Sequence, residues 1–213
     1  MKKGLALLIT AFMTMSGTAC GSSGAQTQPP NENKTEQSEN TADSDTSVEN
    51  TDADENKTAV VYFSATGTTE NIAKELADVL KADTFEIVPA EEYTSDDLNY
   101  NDDNCRANKE MNDSSARPEI SNDLSNITDY DTIFVGYPIW WGTSPRIINT
   151  FFDTYDLSGK TIYTFCTSGS SGIDKSISDL NSAYPDLNIA DGRRFGANAG
   201  ESDISDWTDS LFN

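Results

Sequence analysis

The stretch Ser64-Ala65-Thr66-Gly67-Thr68-Thr69-Glu70 has the residue types and spacing to do chemistry, because it sets four hydroxyls and a glycine between an apolar run and an amphipathic one. Residues 58–63 are continuously apolar and β-favouring, as expected for a strand covered on both faces. Beyond the stretch, Ile72, Ala73, Leu76, Val79 and Leu80 recur at helical spacing, with Glu70 in the first turn where the macrodipole favours an acid. A strand that passes through a tight turn into a helix leaves several backbone N–H groups without partners and aimed at one spot. A phosphate monoester suits that spot. Gly67 lets the backbone approach closely, and the hydroxyls of Ser64, Thr66, Thr68 and Thr69 can donate to phosphate oxygens without any Lys or Arg. The same seven residues also describe an ordinary Ser/Thr helix cap, so the choice turns on the rest of the chain.

Two further loops bear on it. Residues 131–136 read as a strand that opens into Gly136-Tyr137-Pro138-Ile139-Trp140-Trp141-Gly142, a loop presenting large aromatics among glycines and a proline. A helix carrying Ile147, Ile148, Phe151 and Phe152 follows, with Ser144 as its expected cap and Pro145 in its first turn. Residues 161–166 read as another strand, running into the hydroxyl-rich loop Thr167-Ser168-Gly169-Ser170-Ser171-Gly172 ahead of a helix bearing Ile173, Ile177 and Leu180.

The elements between these loops are plainer. Residues 84–89 alternate and stop at Pro89, which suits a strand near a sheet edge. Residues 90–126 are polar, with Tyr93, Leu98, Tyr100, Met111 and Ile120 scattered through them, and are expected to form short helices and a long crossover. Arg106, Lys109 and Arg117 cluster there, either to approach an anionic ligand or to pair with surface acids. Leu187 and Ile189 give a short strand signal, Asp191-Gly192-Arg193-Arg194 is expected to turn the chain, and Ile204, Trp207 and Leu211 mark a closing amphipathic helix. Strands alternating with helices predict an α/β domain with a parallel sheet covered on both faces. In such sheets ligands sit at the carboxyl ends of the strands, and all three loops fall there.

Composition narrows the chemistry. The chain of 213 residues contains no histidine, which removes Ser-His-Asp and Cys-His hydrolysis, His-liganded zinc and imidazole acid–base catalysis. Its formal charge is −22, and residues 58–213 hold 10 Lys and Arg against 27 Asp and Glu, a net charge of −17. This disfavours nucleic acid and leaves two readings, solubility or a docking face for basic partners. Of the three cysteines, Cys105 and Cys166 could form a disulfide or remain buried thiols.

The amino-terminal part reads differently. Lys2 and Lys3 precede an apolar run over residues 5–15, too short to span a bilayer, which makes residues 1–19 an expected signal peptide. Thr18-Ala19-Cys20-Gly21 resembles a bacterial lipobox with Gly17 in place of the usual Leu, so the outcomes are a lipid on Cys20 or cleavage after Ala19 and secretion. Both place the protein outside the cytoplasm, held to a membrane only through the lipid. Residues 20–57 are almost devoid of apolar side chains and are expected to be a disordered tether with a reach of roughly 30–35 Å. The folded domain is expected over 58–213.

Taken together the motifs resemble the flavodoxin family. Ser64, Thr66, Gly67 and Thr69 match its phosphate motif, residues 136–142 match flavodoxin-like proteins with a Tyr-Pro-Ile-Trp-Trp-Gly loop, and residues 166–172 match the third loop. The resemblance implies a doubly wound sheet of five parallel strands in the order 2-1-3-4-5 and non-covalent FMN. By that resemblance Ser64, Thr66, Gly67, Thr68 and Thr69 hold the phosphate, and Pro138, Ile139, Trp140, Trp141 and Gly142 lie along the isoalloxazine. Thr167, Ser168, Gly169 and Gly172 frame its other side. Many flavodoxins stack an aromatic from this last loop on the outer flavin face; here the loop offers only Thr, Ser and Gly, implying a more exposed ring.

The implied function is electron transfer with a redox partner protein or a small-molecule donor or acceptor, without an assigned catalytic side chain or metal. The alternatives are an FMN-dependent NAD(P)H:quinone or related reductase, which the acidity handicaps, and a flavin-free binding or scaffold protein. A cysteine phosphatase at Cys166 is set aside, because the position that needs Arg is Gly172.

Overall fold

The computed structural model describes residues 57–212, so the expected signal peptide, the tether and Cys20 lie outside the described residues. Five parallel strands, β1 (Thr58–Tyr62), β2 (Asp83–Glu86), β3 (Thr132–Pro138), β4 (Thr161–Thr167) and β5 (Asn188–Phe195), form one sheet in the order β2-β1-β3-β4-β5. The helices are α1 (Thr68–Leu80), α2 (Arg106–Asn112), α3 (Arg146–Thr154), α4 (Asp174–Ala183) and α5 (Glu201–Phe212), with a 3₁₀ turn at Ser125–Asp129. The expected strand order is the one found.

Alternation along the central strands divides the core into two layers. Val61, Ile133, Val135, Tyr137 and Ile162 pack with Ile147, Ile148 and Phe151 of α3 and Leu180 of α4. Val60, Phe134 and Phe165 face the other way, onto Ile72 and Leu76 of α1 and Ile204 and Trp207 of α5. This is why β1 and β3 read as unbroken apolar runs. Gly136 belongs to the same packing: a Cβ there would stand 2.1 Å from Cζ of Phe165, so the phenyl ring occupies the space that any larger residue needs.

Three local expectations are corrected. The strand expected over 84–89 pairs only over 83–86; Val88 N–H is taken by Asn122 Oδ1 at 3.0 Å, and Pro89 leaves the sheet to bridge Ile120 in antiparallel fashion. Ser144 does not cap α3. Pro145 is the N-cap, Arg146 the first helical residue, and Ser144 is buried behind them.

The third correction is at β5. Residues 191–194 do not turn but run on as strand, with an irregularity that passes from the Ile162–Ile189 pair to the Tyr163–Asp191 pair and leaves Ala190 over. Gly192 sits there for space rather than for a turn: a Cβ would approach Thr164 Oγ1 to 2.4 Å and Ile177 Cδ1 to 2.7 Å.

Candidate cofactor site at the carboxyl ends of the strands

The first loop follows β1, which is extended by Phe63 N–H donating to the Gly136 carbonyl at 2.9 Å. Gly67 is the N-cap of α1 with φ +82°, in the left-handed region, and no side chain caps the helix. The first-turn amides are therefore left to an external acceptor. Ser64 Oγ is buried without a hydrogen-bond partner, and of the three such side-chain atoms among the described residues only this one belongs to the three loops. Thr66 is exposed and Thr68 half-buried. Thr69 differs: it is buried, and its Oγ1 lies 2.7 Å from Thr167 Oγ1, so its hydroxyl ties α1 to the third loop. An orphaned hydroxyl, uncapped amides and a left-handed glycine, where a Cβ would lie 4.0 Å from Glu70 Oε2, form a cradle that fits a phosphate.

The second loop leaves β3 at Pro138, and Ile139 N–H donates to the Thr167 carbonyl at 3.0 Å. Trp140 and Thr143 exchange backbone hydrogen bonds of 2.9 and 3.0 Å around Trp141 (φ +50°) and Gly142 (φ +79°), a turn with both central residues left-handed. This turn separates the paired tryptophans. Trp140 is 3% exposed and packs edge-on against Phe63 at 5.7 Å and Tyr93 at 5.1 Å, becoming the wall beneath the loop. Trp141 is 42% exposed and meets Tyr100 edge-on at 4.8 Å.

The third loop leaves β4 at Thr167. Ser168 N–H donates to the Phe195 carbonyl at 3.2 Å, and Ser170 N–H to Ser168 Oγ at 3.2 Å. Arg194 of β5 closes it from the side, with Nη2 donating to the carbonyls of Ser168 (2.9 Å) and Gly169 (3.0 Å). Gly169 and Gly172 are exposed.

The sequence profile of the flavodoxin family matches residues 57–211. This chain belongs to the flavodoxin family. A Bacteroides eggerthii protein described as a flavoprotein is 45% identical, covering 74% of this chain and 98% of its own with a TM-score of 0.71. A second, from Bacteroides uniformis, is 43% identical over 72% of this chain and 97% of its own, with a TM-score of 0.70. A Lactobacillus acidophilus flavoprotein, solved in complex with FMN, shares the fold at 24% identity and a TM-score of 0.57, covering 72% of this chain and 99% of its own. No curated protein matches the sequence.

In this flavodoxin the three loops meet through short links: Thr69 to Thr167, Ile139 to Thr167, and Phe63 to Gly136. Beside the first lies a cleft of about 170 Å³ lined by Phe63, Ser64, Glu86, Glu92 and Tyr93 among others. A larger cleft of about 680 Å³, lined by Lys57, Lys81, Asp83 and Tyr130, lies at the amino ends of β1 and β2, away from the loops. Ligands of parallel sheets gather at the other end, so its size does not make it the site.

Sequence reasoning missed three contributors. Tyr93 and Tyr100 lie in the polar stretch where no periodicity marks them, and Arg194 in the segment read as a turn. The Tyr93 hydroxyl donates to Glu110 at 2.6 Å, and Arg106, bound to Glu110 at 2.6 Å, stacks over the Tyr93 ring at 4.0 Å. Burial first, then Glu110, holds the Tyr93 phenol far above its ordinary range. Arg106 is thus spent on the wall under Trp140, and Arg117, exposed like Lys109, pairs with Asp153 at 2.5 Å on the surface.

The surroundings of the phosphate cradle are acidic. Burial, then Glu86 and Glu70, push the Tyr62 phenol up to about 12, and the Glu86 carboxyl is raised by desolvation and by Glu70. Cys105 and Cys166 are both buried and free; Cys105 Sγ accepts from Asn108 N–H at 3.3 Å, and burial pushes the Cys166 thiol up to about 12. Among the described residues no cluster of His, Cys, Asp or Glu could hold a metal ion, and no helix is long and apolar enough to cross a membrane.

Proposed function

We propose that this flavodoxin binds FMN without a covalent bond and passes electrons to and from a redox partner outside the cytoplasm. The observation that carries the reading is the buried, unpartnered Ser64 hydroxyl beside the uncapped start of α1, a donor set built for a phosphate and left unsatisfied by the protein itself. FMN is the cofactor of the reading because one end of it is a phosphate monoester and the other a planar ring. The exposed Trp141, the half-buried Pro138 and Ile139 and the small third loop offer that ring a surface.

Bound there, FMN supplies an isoalloxazine that takes up one or two electrons at potentials set by its surroundings. The protein's part is to bind and to tune. Ser64, Thr66, Thr68 and the α1 amides hold the phosphate, Trp140 and Tyr93 fix the loop from below, and Arg194 fixes the loop from the side. Glu86 and Glu92 line the cleft beside the first loop and oppose an approaching dinucleotide, which favours electron transfer over a reductase. The net charge of −17 over residues 58–213 also opposes polyanionic dinucleotides and suits a basic redox partner.

Residues 1–20 support the extracytoplasmic location by their charge, apolar run and Thr18-Ala19-Cys20 ending. Mass spectrometry of the membrane fraction tests it, with a diacylglycerol-bearing Cys20 expected at the mature amino terminus; a cytosolic protein that retains residues 1–19 would exclude it. For the cofactor, the full chain is mixed with excess FMN, desalted and scanned in the visible. Flavin bands at about one per chain are expected, and a colourless protein would end the redox reading.

A further inference from the structure

The third loop of this flavodoxin carries no ring, yet the site is not without a second aromatic. Tyr100 stands 57% exposed on the connection between β2 and α2, with its ring centroid 4.8 Å from that of Trp141 and the planes at 80°. Leaving two large neighbouring rings in water is unfavourable, and contiguous apolar exposure of this kind marks contact surfaces. Trp141 also holds φ at +50°, a backbone state that a bulky residue adopts only where the surrounding structure enforces it, and such outliers concentrate at ligand sites.

The position of Tyr100 is itself built. Asp102 N–H donates to the Asn99 carbonyl at 2.9 Å and Asn101 N–H to Asn99 Oδ1 at 3.2 Å, closing a turn around the tyrosine. Asn108 Nδ2 holds the Asp102 carbonyl at 2.6 Å, which ties the turn to α2. Through Arg106 and Glu110, α2 is joined to Tyr93, and Tyr93 packs on Trp140. The same short helix thus braces both Tyr100 and the wall beneath the second loop.

We propose that Tyr100, supplied by the β2–α2 connection, is a cofactor-contacting residue that joins Trp141 in covering the isoalloxazine, in the role for which the third loop has no side chain. The ring in this protein is then less open than the third loop alone suggests, and its cover comes from a segment that follows β2. The inference rests on FMN binding, and the experiment separates the two. The full-length apo chain is titrated with FMN by following flavin fluorescence, for the native protein, Tyr100→Phe and Tyr100→Ser, with far-ultraviolet circular dichroism confirming the fold.

Tyr100→Phe keeps the ring and is expected to bind within about twofold of the native chain. Tyr100→Ser is expected to bind about fivefold or more weakly, the lower end of what stacking on an aromatic contributes, and to leave the bound flavin more fluorescent. Native affinity and native emission in a folded Tyr100→Ser variant would overturn the proposal while leaving the cofactor reading intact. A native chain that binds no FMN would overturn both.

Discussion

The hydroxyl oxygens of Thr69 and Thr167 lie 2.7 Å apart and buried, joining the first turn of α1 to the end of β4 across 98 residues of chain. Both residues match flavodoxin motifs, and the structure uses their side chains on each other. The bond links the start of α1 to the third loop, alongside the backbone bond from Ile139 to Thr167 that links the second.

Replacing either threonine by valine leaves the other hydroxyl buried and unpaired. Each single variant is expected to lose about 1–3 kcal/mol of stability, and the double variant Thr69→Val/Thr167→Val less than the sum of the two. Urea denaturation of the four proteins measures the coupling; strictly additive losses would mean that the hydroxyls act independently.

Ser64→Ala removes an oxygen that has no partner in the protein. Stability of the apo protein is therefore expected to hold or rise, while FMN binding weakens by about 1.5–3 kcal/mol, the contribution of a hydrogen bond to a charged group. Gly67→Asp is harsher, because it sets a carboxylate in the cradle at φ +82°. It is expected to abolish flavin retention and preserve the α/β circular dichroism spectrum. Visible absorbance after desalting decides, and a yellow Gly67→Asp protein would displace the phosphate from this loop.

Arg194 holds the carbonyls of Ser168 and Gly169 and brings a positive charge to a loop in an acidic domain. Arg194→Met is expected to weaken reduced FMN more than oxidised FMN, since reduction adds negative charge. A tenfold difference corresponds to about 30 mV for a two-electron couple. Arg194→Lys keeps the charge without the paired donors and is expected to recover most of the potential. Spectroelectrochemical titration reads both, and an unmoved potential in Arg194→Met would confine the residue to holding the loop.

Alkaline pH should unfold the protein early. Tyr62, Tyr184 and Cys166 are each pushed up to about 12 in the folded state, chiefly by burial, from ordinary values of 10.0 for tyrosine and 9.0 for the thiol. Below pH 9 both folded and unfolded chains keep these protons, so the groups contribute nothing that varies with pH. Above it the unfolded chain loses them first, and stability falls from about pH 9 through 12. Denaturation midpoints across that window check the sign, and Cys166→Ala should soften the first part of the decline.

How much of this was legible in the chain depends on how local the cause was. The order of β1, α1, β3, α3, β4 and α4 could be read because each buries apolar residues at its own period, and because central parallel strands are covered on both faces and read as unbroken runs. The phosphate loop was legible only with the rest of the chain, since a glycine and hydroxyls at a strand-to-helix turn also describe an ordinary helix cap, and two more loops at strand carboxyl ends were needed to favour a cradle. At β5 the same reasoning failed. Asp191-Gly192-Arg193-Arg194 has turn composition, and only the closeness of Thr164 and Ile177 shows that the glycine is there to let α4 and β4 approach.

The three motif loops were thus legible in the sequence alone, because strand-to-loop boundaries and local hydroxyls depend on near neighbours, while FMN followed from their resemblance to the flavodoxin family. Tertiary structure alone decided the roles within them. It turned Trp140 into the wall and Trp141 outward through a left-handed turn, and it paired Thr69 with Thr167. It brought Tyr100 to Trp141 and Arg194 to Ser168. Those four relationships join residues that are adjacent in the chain but face opposite ways, or residues distant in the chain but adjacent in space, and neither kind leaves a periodic trace in a sequence.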